Sequence, residues 1–328
     1  MMSELREFHD ELRAVARDLL GKAGDDVDWR QVSDAGWPGL EVPEPLGGAG
    51  ASFVETAILL EELGRAGARA PFLGTTLAVG ALMALSPNDS RDALLERIGS
   101  GATAAFASGF TVTDGVLSGR AEFVPDANGA ELVLLLADDD GSPVLVTSAE
   151  LSITAQPVLD ETRALAVVTA DGATVAESWS LAAAPGSLSD RAAVAVACDS
   201  LGVAEAMLAA TVEYAKVRQQ FGRPIGSFQA VKHACADMLV QTSVARQLVD
   251  AAAAQVAEGA DSSVAASMAK SYACAAAVNV VGKAMQLHGG IGYTWESGVH
   301  VYLKRAALNR ALFDSPAVHR QRLAQRYG

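Results

Sequence analysis

Leu5, Phe8, Leu12, Val15 and Leu19 recur at helical spacing, which predicts an amphipathic helix over residues 3–20. A loop punctuated by Pro and Gly follows at 36–50. Ser52 with Glu55 three residues on is a capping pattern, opening a helix over 53–63. Further helices are expected near 73–85 and 89–99. At about residue 103 the pattern changes to short apolar runs divided by turn residues, as at 104–106, 131–137, 144–146 and 165–168. Asp138-Asp139-Asp140-Gly141 between two such runs is a hairpin signal, and the stretch to about 182 reads as an antiparallel β domain. After Pro185-Gly186-Ser187 the helical period returns over 189–217, 227–257, 262–287 and 297–313. Long helices with short connections make an antiparallel four-helix bundle. The expected fold class is α+β, mainly α. Its domains are 1–102 (helical), 103–184 (β) and 185–328 (helical bundle), with no internal repeat.

Composition narrows this picture. Half of the 328 residues are hydrophobic and only 5% are aromatic, an Ala/Val/Leu core suited to closely packed helices. Neither a signal-like N-terminus nor an uninterrupted apolar run of 18 residues stands out. A cytoplasmic protein without membrane insertion is expected. Cys198, Cys235 and Cys274 form no CxxC pair and keep no metal-ligand spacing, so no metal site is expected and the thiols read as small buried groups.

Net charge is −14 but uneven. Residues 1–210 carry 12 basic and 32 acidic side chains, and residues 211–328 carry 13 and 7. An acidic whole argues against a nucleic-acid partner. The basic C-terminal third suits an anionic ligand such as a dinucleotide diphosphate, or is helix-surface charge. In the 262–287 helix, Ala265, Ala266, Ala269, Ala273 and Ala276 join Val264, Met268 and Val278 in a wide apolar surface. That width predicts burial by more than its own domain, and so a tetramer built as a dimer of dimers.

Two stretches carry candidate chemistry. In residues 218–229, Arg218 can grip a phosphate through two charge-assisted bonds, Phe221 offers a flat face, and a Gly-Pro loop leads into the next helix. In residues 286–294, three glycines in four positions let a backbone approach a ligand closely. Together they closely resemble the two signatures of the acyl-CoA dehydrogenase family, R-x-x-F-G-x-x-I-x-x-x-Q and Q-x-x-G-G-x-G-Y. The resemblance extends to the 36–50 loop, to Glu61-Glu62-Leu63-Gly64-Arg65, to Leu159-Asp160-Glu161-Thr162-Arg163 and to Ala236-Asp237-Met238. It implies FAD as cofactor, with Arg218, Phe221, Ile225 and Gln229 reaching a neighbouring subunit's FAD. Gln286, Gly289 and Gly290 would lie against its adenylate or diphosphate part. It also implies oxidation of an acyl-CoA substrate to the 2-enoyl-CoA, with an electron-transfer flavoprotein as acceptor.

The chain departs from that pattern in three places. The family's catalytic Glu falls in 312–315, where the carboxylate is Asp314, and no Glu follows Glu296. Asp314 is either the base or a turn residue before Ser315-Pro316. Asp190-Arg191 stands near an alternative base position on the first C-terminal helix, and a gap-free count places Ala192 and Ala193 there instead. The flavin-ring motifs of the β domain are replaced by Ala104-Ala105-Phe106-Ala107-Ser108-Gly109 and by Glu122-Phe123-Val124-Pro125. The pattern resembles short family members of actinobacterial steroid degradation that pair with a longer catalytic homologue. Two expectations follow: a dehydrogenase, alone or in a homo- or hetero-tetramer, or a non-catalytic subunit that completes another chain's FAD site.

Overall fold

The computed structural model describes residues 2–23, 27–182, 184 and 186–327. In chain order the helices α1 (Met2–Ala23), α2 (Trp29–Asp34), α3 (Phe53–Ala66), α4 (Phe72–Met83) and α5 (Asp89–Gly99) come first. Seven strands follow: β1 (Ala104–Thr113), β2 (Val116–Pro125), β3 (Leu132–Asp139), β4 (Ser142–Thr147), β5 (Ser152–Ala155), β6 (Leu165–Thr174) and β7 (Glu177–Ser180). Then come α6 (Gly186–Val217), the short strands β8 (Gln219–Gln220) and β9 (Arg223–Pro224), α7 (Gln229–Ala257), α8 (Ser263–His288), α9 (Val299–Ala311) and α10 (Pro316–Tyr327). By internal packing the chain forms two units, one of residues 1–25, 57–68 and 193–328, the other of 26–56 and 69–192.

In the second unit, local chemistry sets the helix starts. The Ser52 backbone N–H donates to the Glu55 carboxylate at 2.8 Å and Val54 N–H donates to Ser52 Oγ, the reciprocal capping expected at α3. Asn88 caps α5 through the Arg91 N–H. The seven strands form one sheet in the order β5-β6-β2-β1-β3-β4-β7. Asp140 and Gly141, both at positive φ, make the β3–β4 hairpin turn. One pair corrects the antiparallel expectation: β1 and β3 run parallel. β2 hairpins back on β1, and the chain then crosses to the other edge of β1, so β3 resumes the direction of β1. Alternating apolar runs reveal strands but not which strands are neighbours. One core lies among strand residues such as Leu117, Leu135 and Val168. A second joins Leu82, Leu95 and Ile98 of the helices to Leu134 and Leu145 of the sheet.

In the first unit, α8 is surrounded by α7, α9 and α10, with Ala266, Ala269, Ala273, Cys274, Ala277, Val280 and Val281 all buried. Of the residues that gave it a wide apolar surface, Ala266, Ala269, Ala273 and Ala276 are buried, Val264, Ala265 and Val278 are half-buried, and Met268 is exposed. By length and composition α6 and α8 could cross a bilayer, but 78% and 61% of their most apolar windows are buried. α10 is a fifth helix where four were expected. Pro316 opens it, a position where its missing N–H costs nothing, and Ser315 O accepts the His319 N–H at 3.2 Å. α3 meets α6 through two glycines. A Cβ on Gly64 would stand 2.0 Å from Asp199 O, and one on Gly202 would stand 1.9 Å from Glu61 O. Beside that crossing, Arg246 grips Glu61 with two bonds of 2.6 Å and reaches Glu205, while Arg13 joins Glu61 and Arg17 joins Glu62. Burial pushes the Glu61 carboxyl up, but Arg246 and Arg13 outweigh it and hold it below the usual glutamate range.

Candidate functional site

Seven of the eight residues singled out from sequence gather at one end of the first unit. α6 stops at Val217, and the chain turns back through the β8–β9 hairpin, with Ile225 N–H donating to Arg218 O at 2.7 Å. The hairpin tip is Phe221-Gly222, at φ +54° and +77°, the pair of left-handed residues that a two-residue hairpin turn requires. Phe221 is 91% exposed, and its ring meets Phe228 edge-on at 6.1 Å. The Arg223 guanidinium lies 4.1 Å from the Phe228 ring centroid. A bulky residue in the left-handed region, with its ring in solvent, is strained and gains little from packing. Arg218 is exposed, and its guanidinium has no partner among the described residues. Ile225 is half-buried and Gln229 is the exposed first residue of α7.

The second stretch sits beside the first because the ends of α6 and α8 are bonded. The Tyr214 ring stacks on His288 at 4.4 Å, and its hydroxyl donates to His288 O at 3.3 Å. Sequence reasoning did not single out Tyr214, since one Tyr in a long helix carries no periodic signal. Just past His288, Gly289 has φ +63° and ψ −142°, a conformation that essentially only glycine adopts. Gly292 folds onto α8, where a Cβ would be 2.5 Å from Met285 O. Gly290 is exposed with open space where a Cβ would be. Gln286 is exposed and accepts from Lys283 Nζ at 2.9 Å.

Asp314 stands apart from these residues. It lies in the α9–α10 turn at φ +69°, after Phe313 at +51°, and its half-exposed carboxylate pairs with Arg322. The alternative position is occupied differently. Arg191 is buried in the second unit, pairs with both Glu41 oxygens, donates to Thr76 O at 3.1 Å and lies 4.4 Å from the Phe53 ring centroid. These bonds use its guanidinium for the interior. Where the family's flavin-ring motif is replaced, Phe123 is left-handed at φ +55° and gives its N–H to Gln156, and Pro125 has no N–H to offer.

An unpartnered guanidinium, an exposed aromatic face and a glycine loop open to close approach fit the diphosphate and adenine end of a dinucleotide. Such a site is what the resemblance to the acyl-CoA dehydrogenases implies. The acyl-CoA dehydrogenase N-terminal domain model matches residues 1–102 and the C-terminal domain model matches residues 187–328. The chain belongs to the acyl-CoA dehydrogenase family, oxidoreductases whose cofactor is FAD. It is 40% identical over 301 residues to acyl-CoA dehydrogenase IpdE2 of Mycobacterium tuberculosis, covering 89% of this chain and 84% of that one. Among solved structures it resembles the Tcur3481-Tcur3483 steroid ACAD, at TM-score 0.87 and 27% identity over 98% of both chains. It also resembles the ChsE4-ChsE5 complex from Mycobacterium tuberculosis, at TM-score 0.86 and 25% identity over 97% of this chain and 96% of that one.

Proposed function

We propose that this chain is a subunit of a heteromeric acyl-CoA dehydrogenase that oxidises a steroid-derived acyl-CoA thioester to its 2-enoyl-CoA. The bound flavin supplies the acceptor for the two electrons, which an electron-transfer flavoprotein then collects. This chain's hairpin and glycine loop hold the diphosphate and adenine end of FAD whose ring rests on a neighbouring, longer homologue. The carrying observation is Arg218, a guanidinium without a partner among the described residues, three residues before the strained, exposed Phe221. The replaced ring-side motifs and the two-protein makeup of the ChsE4-ChsE5 relative support the same reading. The steroid class rests on the likeness to the Tcur3481-Tcur3483 steroid ACAD.

Co-expression with and without a longer homologue from the same genome tests this proposal. Bound flavin should be low in the chain alone and high in the complex. Arg218→Ala should weaken FAD retention in the complex by about 2 kcal/mol, roughly thirtyfold. Full flavin in the chain alone, unchanged by Arg218→Ala, would refute it. A second reading makes Asp314 the base that takes the α-proton. One observation favours it: two consecutive non-glycine residues, Phe313 and Asp314, are held left-handed at the position that resembles the family's base. Under this reading Asp314→Asn stops flavin reduction and leaves FAD bound.

A further inference from the structure

The turn that carries Asp314 is gripped from both sides by buried basic groups. Lys270 of α8 is fully buried, and among the described residues no carboxylate pairs with it. Its ammonium donates to Asn309 O at the end of α9 and lies 3.6 Å from Cys274 Sγ. Asn309 is itself held, giving its amide N–H to Asp199 at 2.6 Å. On the far side, His319 of α10 is 2% exposed. Its Nε2 lies 3.0 Å from Phe313 O, and its Nδ1 lies 3.2 Å from Ser267 Oγ on α8. A carbonyl can only accept, so Nε2 carries the proton and Nδ1 accepts from the serine hydroxyl. Phe313, whose carbonyl is one of these anchors, and the adjoining Asp314 have left-handed backbones that each cost on the order of 1–3 kcal/mol and persist only where surroundings over-determine them.

A buried ammonium with no carboxylate within ion-pair distance among the described residues is expensive, and the charge of Asp314 offsets its burial only in part. Lys270 gives donors to the Asn309 carbonyl near the end of α9 and to Cys274, and His319 gives its N–H to the Phe313 carbonyl inside the turn. We infer that Lys270 and His319 are positioning residues that fix the Phe313-Asp314 turn and thereby aim the Asp314 carboxylate. The inference rests on the second reading above, in which Asp314 is the base. Arg322 pairs with Asp314 and completes the arrangement.

The test uses the flavin-loaded complex and a panel of straight-chain and steroid-ring acyl-CoA thioesters. His319→Leu removes the donor, and His319→Gln restores an N–H. Flavin reduction should slow roughly tenfold or more in His319→Leu with KM unchanged, and should return close to wild type in His319→Gln. Lys270→Met, which keeps shape without the donor, should also slow it. Amide hydrogen exchange over residues 312–315 should quicken in both donor-less variants while the centre of α8 stays protected. Wild-type rates and unchanged exchange in His319→Leu and Lys270→Met would overturn the inference. Asp314→Asn separates the two possible failures. If it reduces flavin at the wild-type rate, the base reading is wrong, and exchange alone then decides whether the turn is held.

Discussion

Phe221 shows how much a single residue can give away. Its φ of +54° is unfavourable and its ring is in solvent, so the folded chain gains little from a phenylalanine there. Phe221→Gly should leave thermal stability unchanged or raise it by up to about 1 kcal/mol, because glycine adopts this turn without strain. The same change should lower FAD retention in the complex, and a flavin-release assay beside a melting curve would show both signs. At this scale the sequence was legible where residue types are unusual together. Arg, Phe and three glycines at fixed spacing marked residues that the fold brings to one end of the first unit. Lys270 and His319 were not legible, because nothing in an Ala-rich helix says that its lysine faces inward. Asp314 was found by counting, but its pairing with Arg322 needed the α10 helix, which the sequence reading left as a tail.

Elements were read well where a period of 3.6 or a cap marks them, and poorly where neighbours decide. Ser52 and Glu55 gave the start of α3 correctly, and the long C-terminal helices fell close to their expected bounds. The parallel β1–β3 pair was missed because it depends on which element packs beside which. The crossing of α3 and α6 is of the same kind. Neither Gly64 nor Gly202 breaks its helix, and each accepts the roughly 1 kcal/mol penalty of glycine in a helix. The close backbone contacts explain why. Gly64→Ala should destabilise the protein by about 3 kcal/mol or more, because the methyl group meets the Asp199 carbonyl rather than a movable side chain. Gly282→Ala on α8, where a Cβ meets nothing, should instead be neutral or mildly stabilising. Denaturant midpoints for the two variants would show the contrast.

For the whole molecule, buried ionisable groups set the response to pH. His319 is held below the usual histidine range, by burial first and then by the charges of Arg322 and Lys270. As pH falls below about 6.5, the unfolded chain therefore takes the proton before the folded one, and stability drops. Glu61, also lowered, contributes stability that is present above about pH 4.3 and is lost as pH falls through its folded value. Asp250, raised by burial, works in the opposite direction. Cys198 is pushed well up by burial, so its share of stability is lost as pH rises past about 8.5. Melting temperature against pH should thus slope down on both sides of neutrality. His319→Gln should flatten the limb below pH 6.5, while Cys198→Ala should flatten the alkaline limb. Composition gave the chain's acidic balance, but not which charges lie inside.

α8 carries both ends of this design on one continuous helix. Near its start Ser267 meets His319 and Lys270 meets the Asn309 carbonyl, the residues that flank the Asp314 turn, and Gln286 and His288 stand where the glycine loop leaves it. At about 1.5 Å and 100° per residue, the residues between them act as a gauge block that sets separation and angle together. Substitutions along this stretch leave the gauge intact. Adding one residue would turn one end by about a quarter of a circle against the other, and would move the buried Ala273, Ala277 and Val280 out of register with their neighbours. The spacing between Lys270 and Gln286 should therefore be invariant among folded relatives, even where the exposed residues between them differ.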